Sequence, residues 1–392
     1  MSEGLNRPRA LEPGDLVALV APSRPASERG PREAEEYLEQ RGYRVDVSPA
    51  IHDRHYYLAG TDDTRSAELN RVFADPEVRA VFCARGGFGS GRLLDRLDFG
   101  AVRGDPKIVA GFSDSTALLL ALYSRAGLVA FNGALADFDL GEVRDPLVEA
   151  SLWPLLTSPE PLGEVPAAAE SMGVVRPGTA HGPLVPANLA LLCSLLGTPY
   201  FPPLDGALLL LEDIDEYPYC IDRMLNQLRL AGVVERLGGL LFGQFRDCFT
   251  AEEMEEAPTL AELAQEHARG TGFPIVAGLP FSHFPRRLVL PVGVRAELDT
   301  SVPSLKITEA AEVNPAGSRW GGESAAHLRR AFKPRHYSLK SRPFRSGLQA
   351  ARGTERLRQL HGNPHACRPE ISITIPQIKN HIGLWTQLDG LA

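Results

Sequence analysis

Ser113 is the residue whose type and setting most clearly indicate chemistry. Its segment, Gly-Phe-Ser-Asp-Ser at positions 111–115, joins an apolar run to a stretch rich in Leu and Ala. The segment resembles the G-x-S-x-G nucleophile elbow, a sharp strand-to-helix turn that projects the serine hydroxyl beside unpaired helix N–H groups. Ser and Asp also cap helices routinely, so the motif alone favours a cap, with Ser115 as a second candidate for either role.

A serine nucleophile needs a base, and histidine is the usual one. Before position 313 the histidines are His52, His55, His181, His267 and His283. The first two lie in a charged loop and His267 lies in a polar helical pattern, whereas His283 ends an apolar run and precedes Phe-Pro-Arg-Arg. The pattern places His283 at a strand end, although an isolated histidine there more often has a structural role.

A carboxylate that orients the base completes such a triad. Glu212 follows five apolar residues at 207–211, so a strand end would present its carboxylate to a crevice. The nearby Asp213, Asp215 and Glu216 are consistent with a solvated acidic loop or a loose metal site, but their spacing fits no EF-hand. We therefore expect no metal.

A glycine-rich segment, Arg-Gly-Gly-Phe-Gly-Ser-Gly at 85–91, follows a predicted strand and precedes a predicted helix. It lacks the G-x-G-x-x-G spacing and the chain has no P-loop motif, so a dinucleotide or phosphate site is weakly supported. The segment predicts either a close backbone approach to a substrate oxygen, with an N–H group as oxyanion donor, or a plain turn with positive φ. Cys83 just before it is expected to be a buried strand residue and not a nucleophile.

Alternating sequence patterns predict the scaffold that positions these residues. Through positions 1–153, β-type runs beginning near 15, 43, 79, 107 and 128 alternate with helical patterns. Such alternation is typical of an α/β fold with a parallel sheet covered on both faces, in which ligands bind beyond the carboxyl ends of the strands. Those ends carry Ala-Pro-Ser, Ala-Arg-Gly-Gly, Gly-Phe-Ser-Asp-Ser and Phe-Asn-Gly.

A second domain is predicted after a change in composition. Pro and Gly account for 11 of the 33 residues at 154–186, which is typical of a linker. An α/β-type domain with mixed strands is predicted over 187–312. It closes with an antiparallel pair formed by 289–298 and 304–309, which a turn-rich segment separates.

Composition and charge exclude several classes of function. The chain has 392 residues, 44% hydrophobic and 23% charged, as in globular proteins. Positions 1–312 carry a net charge of −17, which disfavours nucleic acid as a partner. With no apolar run of membrane length, no signal-peptide core and five cysteines without CxxC spacing, we expect a cytoplasmic protein without a membrane partner. The segment 313–392 carries +9 and no regular periodicity, so it is expected to be a disordered extension or a basic arm for an acidic partner.

Several motifs taken together are more specific than any one of them. In chain order they are ARGGFGSGRLL, VAGFSDST, LLLEDIDEYPYCIDRMLNQL, GLPFSH and LVLPVG. They resemble the LD-carboxypeptidase family of serine peptidases, which also includes the microcin C immunity peptidases. The resemblance runs from about Leu11 to Ala310 and leaves out the basic tail.

The resemblance implies an N-terminal α/β domain that carries a catalytic serine and a C-terminal domain that carries Glu and His, with the active site in the cleft between them. Carried over onto this chain, Ser113 is the nucleophile, His283 the general base and Glu212 its orienting partner. The backbone N–H groups of Gly86 and Asp114 would form the oxyanion hole. With the resemblance, the nucleophile interpretation of Ser113 replaces the cap.

The chain departs from the family pattern at four positions. Phe88 stands where the family usually has Tyr, and Ser282 stands where Gly commonly precedes the catalytic His. Asn132 and Pro186 alter two turns, after the fifth strand and at the start of the second domain. None of these changes removes a triad member, so activity is expected, while the substrate preference stays open.

The resemblance implies a serine carboxypeptidase without metal or cofactor that removes the terminal D-Ala from an L,D-linked muropeptide in cell-wall recycling, commonly as a homodimer. Arg85 is the candidate for gripping the terminal carboxylate of the substrate, because its fork can donate two charge-assisted hydrogen bonds; alternatively, it pairs with the acidic groups near Glu212. Two other functions remain open: hydrolysis of an aminoacyl-nucleotide antibiotic on the same fold, and small-molecule binding without catalysis.

Overall fold

The structure, a computed structural model, describes residues 4–249 and 257–313. Apart from Val313, the basic tail lies outside the described residues, and so do the predictions made for it. The described residues build two β-sheets within one compact unit of the chain. No helix in the described ranges is long and apolar enough to cross a membrane.

The first sheet is the parallel sheet expected from the N-terminal pattern. Its strands are β1 (Leu16–Val20), β2 (Arg44–Val47), β3 (Val78–Cys83), β4 (Ile108–Gly111), β5 (Phe131–Asn132) and β12 (Leu290–Pro291). The spatial order is β12-β5-β4-β3-β1-β2, and every pair is parallel except β12 with β5. The helices of this half are α1 (Gly30–Gln40), α2 (Asp62–Ala74), α3 (Phe99–Gly104) and α4 (Thr116–Ala126), with a 3-10 helix at Ser90–Arg96. The predicted α/β fold class is confirmed.

The central strands of this sheet are apolar at nearly every position because both faces are covered. In β3, Val81 and Cys83 belong to one core cluster, while Ala80 and Phe82 belong to another. Successive side chains point to opposite faces of a strand, so a sheet between two helical layers requires apolar residues throughout. The loops that follow these strands are therefore where polar, chemically active residues can lie.

The second sheet is mixed, as predicted. Its strands are β6 (Gly163–Glu164), β7 (Gly173–Arg176), β8 (Thr179–Asn188), β9 (Leu208–Glu212), β10 (Gly239–Phe242), β11 (Ile275–Ala277), β13 (Arg295–Asp299) and β14 (Ser304–Ile307). The spatial order is β6-β14-β13-β8-β9-β10-β11-β7, with parallel pairing from β8 to β11 and antiparallel pairing outside it. The remaining helices are α5 (Pro146–Thr157), α6 (Ala168–Ser171), α7 (Leu189–Ser194), α8 (Pro218–Leu230) and α9 (Leu260–His267), with a π-helix at Ala136–Glu142 and a 3-10 helix at Val234–Arg236. The closing antiparallel pair is β13 with β14.

The segment 154–186, interpreted as a linker, is not one in the structure. It contains the end of α5, then β6, α6, β7 and most of β8. Residues 179–183 of β8 pair with β13, and residues 184–188 pair with β9. Pro183 lies where the strand exchanges one partner for the other, so the N–H that proline lacks is not needed for a continuous ladder. The composition was misleading because this kind of strand position tolerates proline.

Strand β12 returns the chain from the second half to the first sheet. Leu290 and Pro291 pair antiparallel with Asn132 and Phe131 of β5. Asn132, one of the four family departures, is buried and donates through its amide to the carbonyl oxygen of Pro186 in β8 at 3.0 Å. One strand of the first sheet therefore comes from beyond residue 187, and a hydrogen bond joins the two sheets.

Candidate active site

Ser113 lies on the sharp turn between β4 and α4. Its φ is +61°, a left-handed conformation that residues other than glycine rarely adopt and that serine adopts in nucleophile elbows. Gly111 makes the turn possible, because a β-carbon there would lie 2.7 Å from the Cβ of Ser115. Neither the turn at Ser113–Ser115 nor the start of α4 has a side-chain cap hydrogen bond. The cap interpretation of the motif is therefore wrong, and the hydroxyl of Ser115 is buried beside the thiol of Cys83.

The three residues expected to form a triad come together in space. The Nε2 of His283 lies 2.9 Å from the Oγ of Ser113, and its Nδ1 lies 2.7 Å from the Oε2 of Glu212. Glu212 ends β9 and is fully buried, while His283 lies in the loop between β11 and β12 and is mostly buried. A neutral ring protonated at Nδ1 donates to Glu212 and accepts the hydroxyl proton of Ser113, which is the arrangement that general-base activation requires.

Asn188 is a site residue whose contacts the sequence did not indicate. Its Nδ2 donates to the Oε1 of Glu212 at 3.2 Å and to the Oδ1 of Asp213 at 2.8 Å. Its Oδ1 accepts the N–H of Leu191 and caps α7. The buried carboxylate of Glu212 is thus held on one side by His283 and on the other by an amide fixed to a helix.

Asp213 is part of this buried network and does not belong to a solvated acidic loop. Its side chain also accepts the backbone N–H groups of Ala190 and Ile214 at 2.9 Å each. Burial, and next the charge of Glu212, raise the pKa of Asp213 to about 6. Among the described residues no group of three His, Cys, Asp or Glu side chains is arranged to hold a metal ion.

The loop that carries His283 is fastened to the first sheet by Arg287. This buried guanidinium donates to the carbonyl oxygen of Gly133 at 2.9 Å and pairs with the carboxylate of Asp139 at 2.5 Å. It also lies over the ring of Phe112, 4.7 Å from the centroid, and that ring is 4.6 Å from the imidazole of His283. The base from the second half of the chain therefore has a fixed position against the nucleophile turn of the first half.

The glycine-rich segment lies directly against the nucleophile. A β-carbon on Gly86 would be 2.7 Å from the Cβ of Ser113 and 2.9 Å from its Oγ. Only a glycine allows the backbone at this position to come so close. The backbone beside Gly86 and the turn that begins with Ser113 and Asp114 therefore border the same small space around the hydroxyl.

Arg85, which precedes Gly86, is half-buried and has no hydrogen bond or ion pair with any described residue. Its charge interacts with the carboxylate of Asp137. Burial raises the pKa of Asp137 to about 6, and the positive charge of Arg85 opposes that rise. The structure thus does not pair Arg85 with the acidic residues near Glu212.

Phe88, the aromatic family departure in the same segment, is 53% exposed, and the centroid of its ring lies 5.8 Å from that of Tyr57.

The other candidates from the sequence lie elsewhere. His267 is buried in α9 and pairs with Asp222 at 2.6 Å. Cys83 is fully buried in β3, and burial raises the pKa of its thiol to about 12. Ser282, beside the base, donates to the Oε1 of Gln244 at 3.2 Å. Cys83 is a buried strand residue, as its sequence pattern predicted, whereas His267 is buried although its helical pattern is polar.

Two family models match the chain and cover both halves of this arrangement. The LD-carboxypeptidase N-terminal domain matches residues 17–133, and the LD-carboxypeptidase C-terminal domain matches residues 181–298. The chain belongs to the LD-carboxypeptidase family. The family is one of peptidases, so the chain is a member of a family of hydrolases, and the resemblance stated from its motifs is confirmed.

Individual relatives agree with this assignment. The probable murein peptide carboxypeptidase of Bacillus subtilis is 38% identical over 296 residues, covering 75% of this chain and 92% of that protein. The microcin C7 self-immunity protein MccF of Escherichia coli is 26% identical over 329 residues, covering 76% of this chain and 94% of that protein. The crystal structure of muramoyltetrapeptide carboxypeptidase from Oxalobacter formigenes matches with a TM-score of 0.65 at 30% identity, covering 74% of this chain and 97% of that one. The chain shares its fold with this crystal structure.

Proposed function

We propose that this LD-carboxypeptidase is a serine peptidase that releases the terminal D-Ala from an L,D-linked murein peptide. The observation that carries the proposal is the hydrogen-bonded chain from Ser113 through His283 to Glu212. The relatives named for murein peptides supply the substrate class. In this proposal Ser113 is the nucleophile, His283 the general base and Glu212 the residue that orients it.

Acylation begins with attack of the Ser113 Oγ on the carbonyl carbon of the last peptide bond. The hydroxyl proton passes to the Nε2 of His283, and Glu212 stabilises the imidazolium that forms. The carbonyl oxygen becomes an oxyanion, which the backbone N–H groups of Gly86 and Asp114 stabilise. When the tetrahedral intermediate collapses, the carbon–nitrogen bond breaks and His283 returns the proton to the leaving amine of D-Ala.

Deacylation repeats the same steps with water. His283 takes a proton from the water as its oxygen attacks the ester carbon, and the oxyanion forms in the same place. Collapse breaks the ester bond, and the proton from His283 restores the Ser113 hydroxyl. The products are free D-Ala and the shortened peptide, and no metal or cofactor takes part.

Arg85 is proposed to bind the terminal carboxylate of the substrate. Its half-buried guanidinium has no ion-pair partner among the described residues, and it directly precedes Gly86 in the segment beside Ser113. A carboxypeptidase must offer a cation to this carboxylate. Burying a neutral polar group without a hydrogen-bond partner already costs about 2–7 kcal/mol, and burying an unpaired carboxylate costs more.

A second candidate function is hydrolysis of an aminoacyl-nucleotide amide, as in immunity to a microcin. It is supported by the similarity to MccF of Escherichia coli and by the same proposed triad. The third possibility, small-molecule binding without catalysis, would leave the hydrogen bond between Ser113 and His283 without a function. We further propose that the protein works in the cytoplasm as a homodimer, as the family resemblance implies, and light scattering of the purified chain measures its oligomeric state.

The deciding experiment incubates the purified protein with a murein tetrapeptide that ends in D-Ala and detects the loss of one alanine by mass spectrometry. The Ser113→Ala variant is the matched control. A fluorophosphonate probe in parallel measures whether Ser113 is activated at all. Labelling of Ser113 with no alanine release, together with cleavage of an aminoacyl-sulfamoyl nucleotide, would favour the immunity-type function, and no labelling would favour a binding protein.

A further inference from the structure

Two buried residues of opposite charge hold the same pair of loops beside the nucleophile. The first is Arg65, in α2, whose side chain is 1% exposed. Its Nη1 donates to the carbonyl oxygen of Gly89 at 2.9 Å and to that of Pro22, while its Nη2 pairs with Asp62 at 2.5 Å. The guanidinium therefore joins the loop after β1 to the glycine-rich segment.

The second residue is Asp114, which directly follows Ser113 and is 2% exposed. Its Oδ2 accepts the hydroxyl of Ser23 at 2.5 Å and the backbone N–H of Ser90 at 2.8 Å. Its carbonyl oxygen accepts the Ser90 hydroxyl at 2.5 Å. The carboxylate thus binds the residues that directly follow the two carbonyl groups held by Arg65.

The glycine-rich segment is shaped to fit this arrangement. Gly89 has φ of +132°, and a β-carbon there would lie 2.7 Å from the Nη1 of Arg65 and 2.6 Å from a methyl carbon of Leu58. No side chain could be placed on Gly89 without displacing the guanidinium. The third glycine of the segment is therefore required by Arg65 and not by the turn alone.

We propose that Arg65 and Asp114 are positioning residues that fix the oxyanion donor of Gly86. The peptide groups at 22–23 and 89–90 lie between a guanidinium and a carboxylate, so the segment 86–90 is held at its far end while its near end lies against Ser113. An oxyanion donor is effective only when it is already aimed at the developing charge, since reorientation during the reaction costs free energy. This inference rests on the proposed function, for which the oxyanion is the charge to be stabilised.

The test compares Arg65→Met and Arg65→Lys with wild type in the full chain. We measure kcat and KM on the murein tetrapeptide and the rate constant for fluorophosphonate labelling of Ser113. Arg65→Met should lower both kcat and the labelling rate by about 10²-fold, the effect of losing one oxyanion donor, with KM changed less than about 3-fold. Arg65→Lys keeps the charge but reaches a single carbonyl, so its losses should be intermediate.

Lys107→Met is the matched control for loss of a buried cation. Lys107 is also buried and donates to two backbone carbonyl groups, those of Asp75 at 2.7 Å and Val78 at 2.9 Å. Asp75 precedes β3 and Val78 begins it, so both lie at the end of the strand away from Ser113. Lys107→Met should lose thermal stability as Arg65→Met does while keeping the wild-type kcat. If Arg65→Met does not fold, Ser90→Ala, which removes one hydroxyl, should still lower kcat with KM unchanged.

The outcomes separate the two proposals. Suppose that the wild type is labelled at Ser113. An unchanged labelling rate in Arg65→Met would then overturn the positioning role alone, and so would an unchanged kcat in Ser90→Ala. Equal losses of kcat in Arg65→Met and Lys107→Met would also overturn it, because a general loss of stability would then explain both. Failure of the wild type to label at Ser113 would instead count against the serine-peptidase function.

Discussion

A β-carbon on Gly86 would lie 2.7 Å from the Cβ of Ser113, so the glycine-rich segment and the nucleophile turn are in backbone contact. Gly86→Ala should therefore displace either the segment or Ser113, because the new β-carbon would lie closer to the Ser113 side chain than van der Waals contact allows. We expect kcat to fall by about 10²–10³-fold, as when an oxyanion donor is lost. Gly91→Ala is the control, since a β-carbon there meets only the Cβ of Ala117 at 3.9 Å. Equal activity in both variants would contradict the role given to Gly86.

Ser113→Ala should abolish peptide hydrolysis while leaving the fold intact. Loss of a triad serine lowers kcat by about 10⁶-fold because no nucleophile remains. Ser115→Ala is the matched control two residues away: the hydroxyl of Ser115 is buried beside the thiol of Cys83, while His283 binds that of Ser113, so its removal should preserve activity. Steady-state kinetics and thermal denaturation of the two variants check this. Activity in Ser113→Ala together with inactivity in Ser115→Ala would exchange the two assignments.

Glu212→Gln should lower kcat by about 10²–10⁴-fold, because a neutral amide orients the imidazole poorly and does not stabilise imidazolium. Asn188→Asp tests the other side of the same carboxylate. It keeps a helix-capping oxygen for α7 but replaces the amide that donates to Glu212 by a third carboxylate. Its kcat should fall, and so should its unfolding midpoint, because the new carboxylate is buried against those of Glu212 and Asp213. A large stability loss with normal kcat would make Asn188 a cap only.

The buried Asp213 should give the protein a measurable pH dependence of stability. Its pKa is raised from 3.8 to about 6 on folding, so its stabilising contribution is complete below 3.8 and is lost as the pH rises through about 6. The free energy of unfolding of wild type relative to Asp213→Asn should fall over this range in urea titrations. Asp62 is the control of opposite sign: hydrogen bonds from Arg92 lower its pKa to about 2, so wild type should gain stability over Asp62→Asn as the pH rises from about 2 to about 4.

Arg85→Met tests recognition of the terminal carboxylate. If Arg85 binds this group, the variant should hydrolyse the free-acid peptide far more slowly, by about 10-fold or more for each 1.4 kcal/mol lost, and treat the C-terminal amide about as wild type does. The comparison of kcat/KM on the two peptides checks this. Equal losses on both peptides would make Arg85 a structural residue that interacts only with Asp137.

Local patterns singled out the three candidates for the triad, although alone they favoured a helix cap for Ser113 and a structural role for His283. Ser113 follows an apolar run and has the small residues Gly111 and Ser115 two positions before and after it. Both Glu212 and His283 end apolar runs. That these three segments meet was implied by the family resemblance and not by the patterns themselves, and His283 lies in a loop where the pattern had placed a strand end. The parallel sheet of the first half was predictable from local patterns, since continuous apolar runs are what a doubly covered sheet requires.

The residues that support the triad had no such signal. Asn188, Arg287 and Arg65 are polar residues whose partners lie far away in the sequence, and their burial depends on the complete fold. An arginine in the amphipathic pattern of α2 is typical of a solvated helix face, so only the structure distinguishes Arg65 from Arg71 six residues later. The mixed strands at 154–186 were missed because Pro and Gly usually indicate turns.

Strand β12 has a consequence for how the protein is made. The outer edge of β5 pairs with Leu290 and Pro291, so a nascent chain that has finished its first five strands leaves the ribosome with that edge open. An unpaired edge invites association with other chains, and the exposure lasts until six of the eight strands of the second sheet have been translated. His283 is made within this same final stretch. The nucleophile is therefore made 170 residues before its base. The strand that closes the first sheet follows a few residues after the residue that completes the triad.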